Sequence, residues 1–372
     1  MFDDQQIPLW FRRLVLNQGF RRFLKRLLPI TLGTVIVLII LYEISSSIDS
    51  TDEVTHHQVF LFISEISSSI DSTDEVTHHQ VFNYSRISWA RAADVKVLVN
   101  NSVAQSLKDK IKILCLVLTV LGHQESQALA VNITWGSRCT LLLFVTSKPL
   151  ADLPHIVLNI PDNKRHRTAK TVSMFEYAYQ RYIDDFDWFL KADDDTFVVM
   201  ENLRFLLSHI KADDSSYLGF YVQQFVRQGY MVGGAGYVVS RGALRMLGRK
   251  GLRDSSICKQ DGWREDVDFG MCLENRGIRP FYTRDVFKRE MFLPVKLSYL
   301  LGSNPLRKEF EEPRKRINVG PACCSQLTIS FHNVSSAEMY QLEFLLYRIH
   351  VFGRHVDDAF FKDFVKPEPI MT

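Results

Sequence analysis

The chain has 372 residues, 46% hydrophobic and 23% charged, the composition of an ordinary globular protein with room for a sizeable core. Its 45 basic and 42 acidic residues leave a net charge of +3, and the basic excess sits in the first 26 residues. That balance excludes global disorder and leaves no basic domain to neutralise a phosphate backbone, so no nucleic-acid partner is expected.

Arg12, Arg13, Arg21, Arg22, Lys25 and Arg26 precede an uncharged apolar run, Leu27–Tyr42. As a helix this run spans roughly 24 Å, short but sufficient for a thin early-secretory bilayer. Basic residues before it and Glu43, Asp49, Asp52 and Glu53 after it predict a cytosolic N-terminus. No small-residue cleavage site follows, which favours a retained anchor over a cleaved signal. The expectation is a cytosolic tail over 1–26, a single membrane span over 27–44, and all later residues on the luminal side. Glu43–Phe60 then recurs unchanged as Glu65–Phe82. Two copies rich in Ser, Thr and Asp cannot bury a core, so 45–91 reads as a solvated stalk. The pairs His56-His57 and His78-His79 are not read as metal ligands, because adjacent side chains on such a segment do not converge on one ion.

A folded domain is predicted over 92–355, followed by a tail over 356–372. Apolar runs at 111–120, 140–146, 156–160 and 186–192 read as strands, and 170–182 and 201–210 as helices. This alternation predicts an α/β fold with a central mixed sheet covered on both faces, with ligands bound where strands end. One such end carries Asp193, Asp194 and Asp195. Side chains alternate along an extended chain, so Asp193 and Asp195 point one way, suited to a hard divalent cation, and Asp194 points the other. Gly233 and Gly234 lie in a glycine cluster that permits close approach of backbone to a ligand, without the spacing of a dinucleotide fingerprint. Glu265 and Asp266 form a second carboxylate pair, also readable as the acidic first turn of a helix. His332 ends another apolar run, and Ser335 with Glu338 predicts a capping box on the helix that follows.

Six cysteines, Cys115, Cys139, Cys258, Cys272, Cys323 and Cys324, match no zinc spacing and suit an oxidising compartment. Cys115 and Cys139 can link two strands, and Cys258 and Cys272 can clamp the acidic motif between them. Spacing alone leaves the pairing open.

Taken together, WFLKADDDTF, GYMVGGAGYVVS, EDVDFG and CCSQLTISFHNVSSAEMYQLEFLLY resemble the animal β1,3-glycosyltransferases, above all the branch that extends O-linked N-acetylgalactosamine (GalNAc) on Ser or Thr. The likeness covers about Ile111 to Gly353. It implies a GT-A fold, a type II single-pass Golgi membrane protein, UDP-galactose as donor, a GalNAc-Ser/Thr glycoprotein as acceptor, and Mn2+ as cofactor. By the same resemblance Asp193, Asp195 and His332 hold the metal, and Asp266 is the general base of an inverting displacement. Asp194, Lys170, Thr134 and Trp135 are expected at the donor, and Tyr230, Gly233, Gly234, Trp263 and Glu265 at the acceptor. A second subunit or a folding chaperone is a further expected partner. The chain departs from the family pattern in lacking basic residues within 127–135 and 221–226, and in an ordinary charged stretch over 300–319 where relatives are rich in aromatics. Two other readings compete: transfer of a different sugar such as N-acetylglucosamine, and an inactive chaperone-like member of the same family.

Overall fold

Ile113–Leu118 (β1), ILCLVL, is buried along almost its whole length, as a strand covered on both faces must be. It is the spine of the computed structural model, which describes residues 102–120, 122–302, 318–349, 351 and 365–370. The predicted tail, span and stalk lie outside these residues. Among the described residues no helix is long and apolar enough to cross a membrane.

On one side of β1 run Leu141–Thr146 (β2) and His155–Val157 (β3), both parallel. On the other side lies Trp188–Asp193 (β4), also parallel, with Leu118 opposite Asp193. The sheet continues through Tyr237–Ser240 (β9), Tyr217–Gly219 (β6), Pro280–Tyr282 (β10) and Glu368–Pro369 (β13). Beyond β4 its pairings are antiparallel except for β6 with β10, so this eight-stranded sheet is mixed, as expected. A second sheet joins Phe292–Leu293 (β11), Ser330–Phe331 (β12) and Phe197–Val198 (β5), and Tyr221–Val222 (β7) pairs with Tyr230–Met231 (β8).

The helices, in chain order, are Ser102–Lys110 (α1), Leu129–Ile133 (α2), Arg167–Tyr182 (α3), Met200–Leu207 (α4), Arg241–Arg253 (α5), Glu265–Asn275 (α6), Leu297–Leu301 (α7) and Ser336–Tyr347 (α8). Helix α3 buries Val172, Phe175 and Ala178 at helical spacing. Phe175 stacks on Phe269 of α6 with centroids 4.6 Å apart, and both rings lie near Tyr237 of β9. This aromatic block seats the first turn of α6 over the central sheet. Helix α8 starts with the predicted capping box, in which the Ser335 hydroxyl accepts from the Glu338 N–H and the Glu338 carboxylate accepts from the Ser335 N–H.

The regular elements are shorter than the apolar runs suggest, because pairing stops where neighbouring strands end. Strand β3, His155–Val157, takes in only two of the five expected residues, Ile156 and Val157, before Pro161 and Asp162 turn the chain away. The six cysteines pair as Cys115–Cys139, Cys258–Cys272 and Cys323–Cys324. The first ties β1 to the entrance of β2, and the second fastens the loop before α6 to that helix.

Candidate active site

Strand β4 ends at Asp193, and the Thr196 N–H bonds the Asp193 carbonyl at 3.1 Å to close a tight turn. The chain then re-enters as β5, antiparallel to β12, with Phe197 opposite Phe331. That pairing delivers His332, one residue past β12, to the side of Asp195. The Val334 N–H locks the arrangement by bonding the Asp195 carbonyl at 2.9 Å. One ligand atom each from Asp193, Asp195 and His332 lies within 4.8 Å of the others.

His332 Nδ1 faces the Pro294 carbonyl at 3.0 Å and so carries a proton as donor, leaving Nε2 3.5 Å from Asp195 Oδ1, where it donates to the carboxylate in the imidazolium form and offers a lone pair to a metal in the neutral form. Fixing one ring nitrogen to a backbone carbonyl is how proteins aim an imidazole at a metal. Two carboxylates and such an imidazole fit a divalent cation that accepts both oxygen and nitrogen, as Mn2+ does. Burial pushes the Asp195 carboxyl up, but the hydrogen bond and charge of His332 outweigh it and hold the group below its ordinary range. Burial likewise pulls His332 down, and Asp195 outweighs that and raises it.

Gly234 lies directly behind His332, where a Cβ would come within 2.2 Å of the imidazole Cε1. The glycine turn is stitched to the site through Thr196 Oγ1, which donates to the Gly234 carbonyl at 2.9 Å. Gly233 gives its N–H to Asp266 Oδ2 at 3.2 Å and its carbonyl to Lys191 Nζ at 3.3 Å. Asp266 is half-buried in the first turn of α6. Gly233 therefore links the Asp266 carboxylate to the residues beneath the metal-ligand cluster. A cleft of about 280 Å³ opens beside Asp195, lined by Gln127, Val295, Lys296, Tyr299, Asn333, Val334 and Ser335. Within its wall the Gln127 side-chain oxygen is buried without a hydrogen-bond partner among the described residues.

Asp194 faces away from the cluster, as expected, although the turn after β4 and not a continuing strand sets this, and it accepts from Thr119 Oγ1 at 2.7 Å with His123 Nδ1 3.3 Å away. Burial pushes its carboxyl up to about 6.

Several sequence-based expectations are corrected. Glu265 does not face an acceptor: it is buried and receives Lys191 Nζ at 2.7 Å, Tyr237 Oη at 3.1 Å and Thr171 Oγ1 at 3.3 Å. Thr134 and Trp135 have no exposed surface for a donor. The Thr134 hydroxyl is spent on the Ala130 carbonyl, and the Trp135 ring fills the core. Lys170 is buried against Asp162, which neutralises its charge. Tyr230 is buried where Gly270 of α6 leaves room for it. Gly233 and Gly234 make their close approaches to Glu265, Asp266 and His332. Trp263, at 68% exposed, alone of the expected acceptor set presents a free ring face to solvent.

Lys191 is the residue that the motif reading passed over. Its ammonium, with no exposed surface, bonds Asp193 Oδ1 at 2.8 Å as well as Glu265 and Gly233. Burial lowers its pKa, but the two carboxylates overcome this and raise it, so the ammonium stays charged. The signal for it was a lysine inside an otherwise apolar strand. Lys296 and Tyr299 belong to no motif and emerge only from the cleft.

A mixed α/β sheet with a carboxylate at the end of its central strand, a second in the turn that follows and a distant imidazole beside them makes a candidate divalent-cation centre. The Fringe-like family profile matches residues 123–344, and the chain belongs to the Fringe-like family. It is 37% identical over 264 residues to the Xenopus laevis glycoprotein-N-acetylgalactosamine 3-beta-galactosyltransferase 1, spanning 68% of this chain and 71% of that protein. It is 30% identical over 148 residues to the human beta-1,3-glucosyltransferase, across 39% of this chain and 29% of that one. A solved Drosophila β-1,4-galactosyltransferase 7 mutant, in complex with manganese, UDP-Gal and xylobiose, aligns over 46% of this chain and 64% of its own. The TM-score is 0.29 at 13% identity, too loose to inform the site.

Proposed function

We propose that the protein transfers galactose from UDP-galactose to the 3-hydroxyl of O-linked GalNAc on glycoproteins, with inversion, building the core 1 O-glycan. The observation that carries this is the convergence of Asp193, Asp195 and His332 at the end of β4, beside a cleft and one glycine away from Asp266. Membership of the Fringe-like family and the likeness to the frog galactosyltransferase support the donor and acceptor, and we read the fold as GT-A.

Asp193, Asp195 and His332 would hold Mn2+, with Asp195 and His332 pre-aimed by their backbone anchors. When bound, the ion supplies Lewis-acid stabilisation of the charge that builds on the diphosphate. The cleft beside Asp195 receives the nucleotide part of the donor, with the unpartnered Gln127 oxygen and the Lys296 ammonium as polar contacts. Asp266 takes the proton from the acceptor 3-hydroxyl as that oxygen attacks the anomeric carbon and UDP departs. A single displacement forms one glycosidic bond and breaks one, so the enzyme needs no covalent nucleophile. Gly233 holds Asp266 through its N–H, and Lys191 holds Asp193, so one turn sets the spacing between base and metal site.

The disulfides and the apolar run Leu27–Tyr42 support placement as a single-pass type II protein with this domain in the Golgi lumen. The test is to incubate the full-length protein in detergent with Mn2+, UDP-galactose and a GalNAc-peptide, and to look for UDP and the disaccharide. Transfer from UDP-N-acetylglucosamine instead would overturn the choice of donor. Silence with every donor would favour a chaperone-like role.

A further inference from the structure

Two segments meet at the edge of the site. The first is the loop 223–229 between β7 and β8, which runs on into the glycine turn. The second is Trp263-Arg264, immediately before Glu265 and Asp266 on α6. The Arg264 guanidinium carbon sits 3.7 Å from the Phe225 ring centroid and 5.6 Å from that of Trp263. Both rings are largely exposed, Phe225 at 54% and Trp263 at 68%. Such a surface normally costs free energy in water, which argues for an occupant.

Phe225 is held at a φ of 64°, a backbone conformation that bulky residues avoid. The loop maintains it because its base is pinned. Val226 is buried, the Gln228 N–H donates to Glu274 at 2.8 Å, the Gln228 side chain donates to the Ile278 carbonyl at 2.9 Å, and Gly229 packs under the Tyr221 ring. Strain held by a rigid surround marks a pre-organised surface.

Arg264 is the informative member. Stacking on Phe225 fixes the plane of its guanidinium, and among the described residues no carboxylate, carbonyl or hydroxyl accepts from it. Arg227, on the same loop as Phe225, is by contrast paired with Glu274. A flat, oriented and unpaired guanidinium is a receptor for a carboxylate, which it binds through two parallel hydrogen bonds.

We propose that Phe225, Trp263 and Arg264 form an acceptor subsite that selects glycopeptides with an acidic residue beside the glycosylated Ser or Thr. This rests on the transferase reading above. Trp263 offers its face to the apolar side of the sugar or peptide, and Arg264 grips the flanking Asp or Glu carboxylate. A GalNAc-Ser/Thr acceptor carries one neutral sugar, so the anion comes from the peptide.

The test compares two GalNAc-peptides that differ only in Glu against Gln beside the modified Thr. The wild type should favour the acidic peptide in kcat/KM by about tenfold, the scale of one charge-assisted hydrogen-bonded pair. Arg264→Gln should bring this ratio close to one, and Arg264→Glu should invert it against a Lys-flanked peptide. The ratio cancels any general loss of activity, and thermal melting confirms that each variant is folded. An unchanged ratio in Arg264→Gln, or a wild type indifferent to the flanking residue, overturns the proposal. If the wild type transfers no sugar, the transferase reading fails. The same ratio is then read from fluorescence anisotropy of the labelled peptides, where equal affinities overturn the subsite by itself.

Discussion

Lys191 Nζ lies 2.8 Å from Asp193 Oδ1 and 2.7 Å from Glu265 Oε1, so one fully enclosed ammonium joins the end of β4 to the first turn of α6. These two elements carry the candidate metal ligands and the candidate base. A buried charge is tolerated only when its partners are complete, which makes the pairing a rigid strut between the two halves of the site.

Removing the ammonium should therefore be costly. Lys191→Met leaves Glu265 enclosed with no cation, and a loss of about 3–5 kcal/mol in denaturant unfolding is expected. The double variant Lys191→Met with Glu265→Gln should recover much of that stability without restoring transfer, because Asp193 stays unanchored. Additive stability effects in the double-mutant cycle would remove the strut from the picture.

Asp195→Asn should keep the fold and reduce transfer to about 1% of wild type or less, since it removes a ligand from the candidate metal centre. Electron paramagnetic resonance of free Mn2+ reads the accompanying loss of affinity. Normal Mn2+ binding in this variant would show that the cluster is not the metal site.

The Asp195–His332 pair makes both Mn2+ affinity and metal-free stability depend on pH. His332 is raised above its ordinary value and Asp195 is held below, so in the metal-free protein their mutual stabilisation is complete between about pH 4 and 6.5. It is lost as pH rises through the raised imidazole value, and again as pH falls through the lowered carboxyl value. Metal-free wild type should exceed His332→Gln in stability at pH 5.5 by more than at pH 8. Mn2+ must displace the imidazole proton, so its affinity should rise from pH 5.5 to pH 8. A pH-independent affinity would be the contrary result.

Asp266→Asn keeps the Gly233 contact, because an amide oxygen can still accept from that N–H, but it loses the ability to take a proton. UDP and Mn2+ should bind as in wild type while kcat falls by about 10²–10⁴-fold. Loss of both binding and turnover would make the residue structural.

Gly234→Ala tests the seat of the imidazole. The added methyl group would collide with the His332 ring, so the ring must swing from Asp195. Mn2+ affinity should drop by about 10–100-fold with the melting temperature little changed. A wild-type affinity would mean that His332 reaches the ion from another rotamer.

Much of the site was legible because its signals are local. The capping box at Ser335 and Glu338 is a three-residue spacing, and the divergence of Asp194 from Asp193 and Asp195 is set within one tight turn at the end of β4. A carboxylate at the end of an apolar run announces itself in any α/β chain. Glu265, Thr134, Trp135, Lys170 and Tyr230 were misplaced for the opposite reason. Each was assigned from its place along the chain, yet its exposure depends on what packs against it from far away. Glu265 and Asp266 are consecutive on one helix turn; the first is swallowed by Lys191, Tyr237 and Thr171, and the second is left half-buried.

From its order of residues alone, this chain determined an α/β domain, two carboxylate clusters and a late histidine, because hydrophobic periodicity and short spacings are properties of neighbouring residues. Only the tertiary structure decided that β12 lies antiparallel to β5 and so brings His332 to Asp195, that Lys191 reaches Glu265 across 74 positions and ties it to Asp193, and that Arg264 is left stacked on Phe225 and unpaired. Those outcomes depend on contacts between residues tens to more than a hundred positions apart, and a chain read in order does not contain that distance.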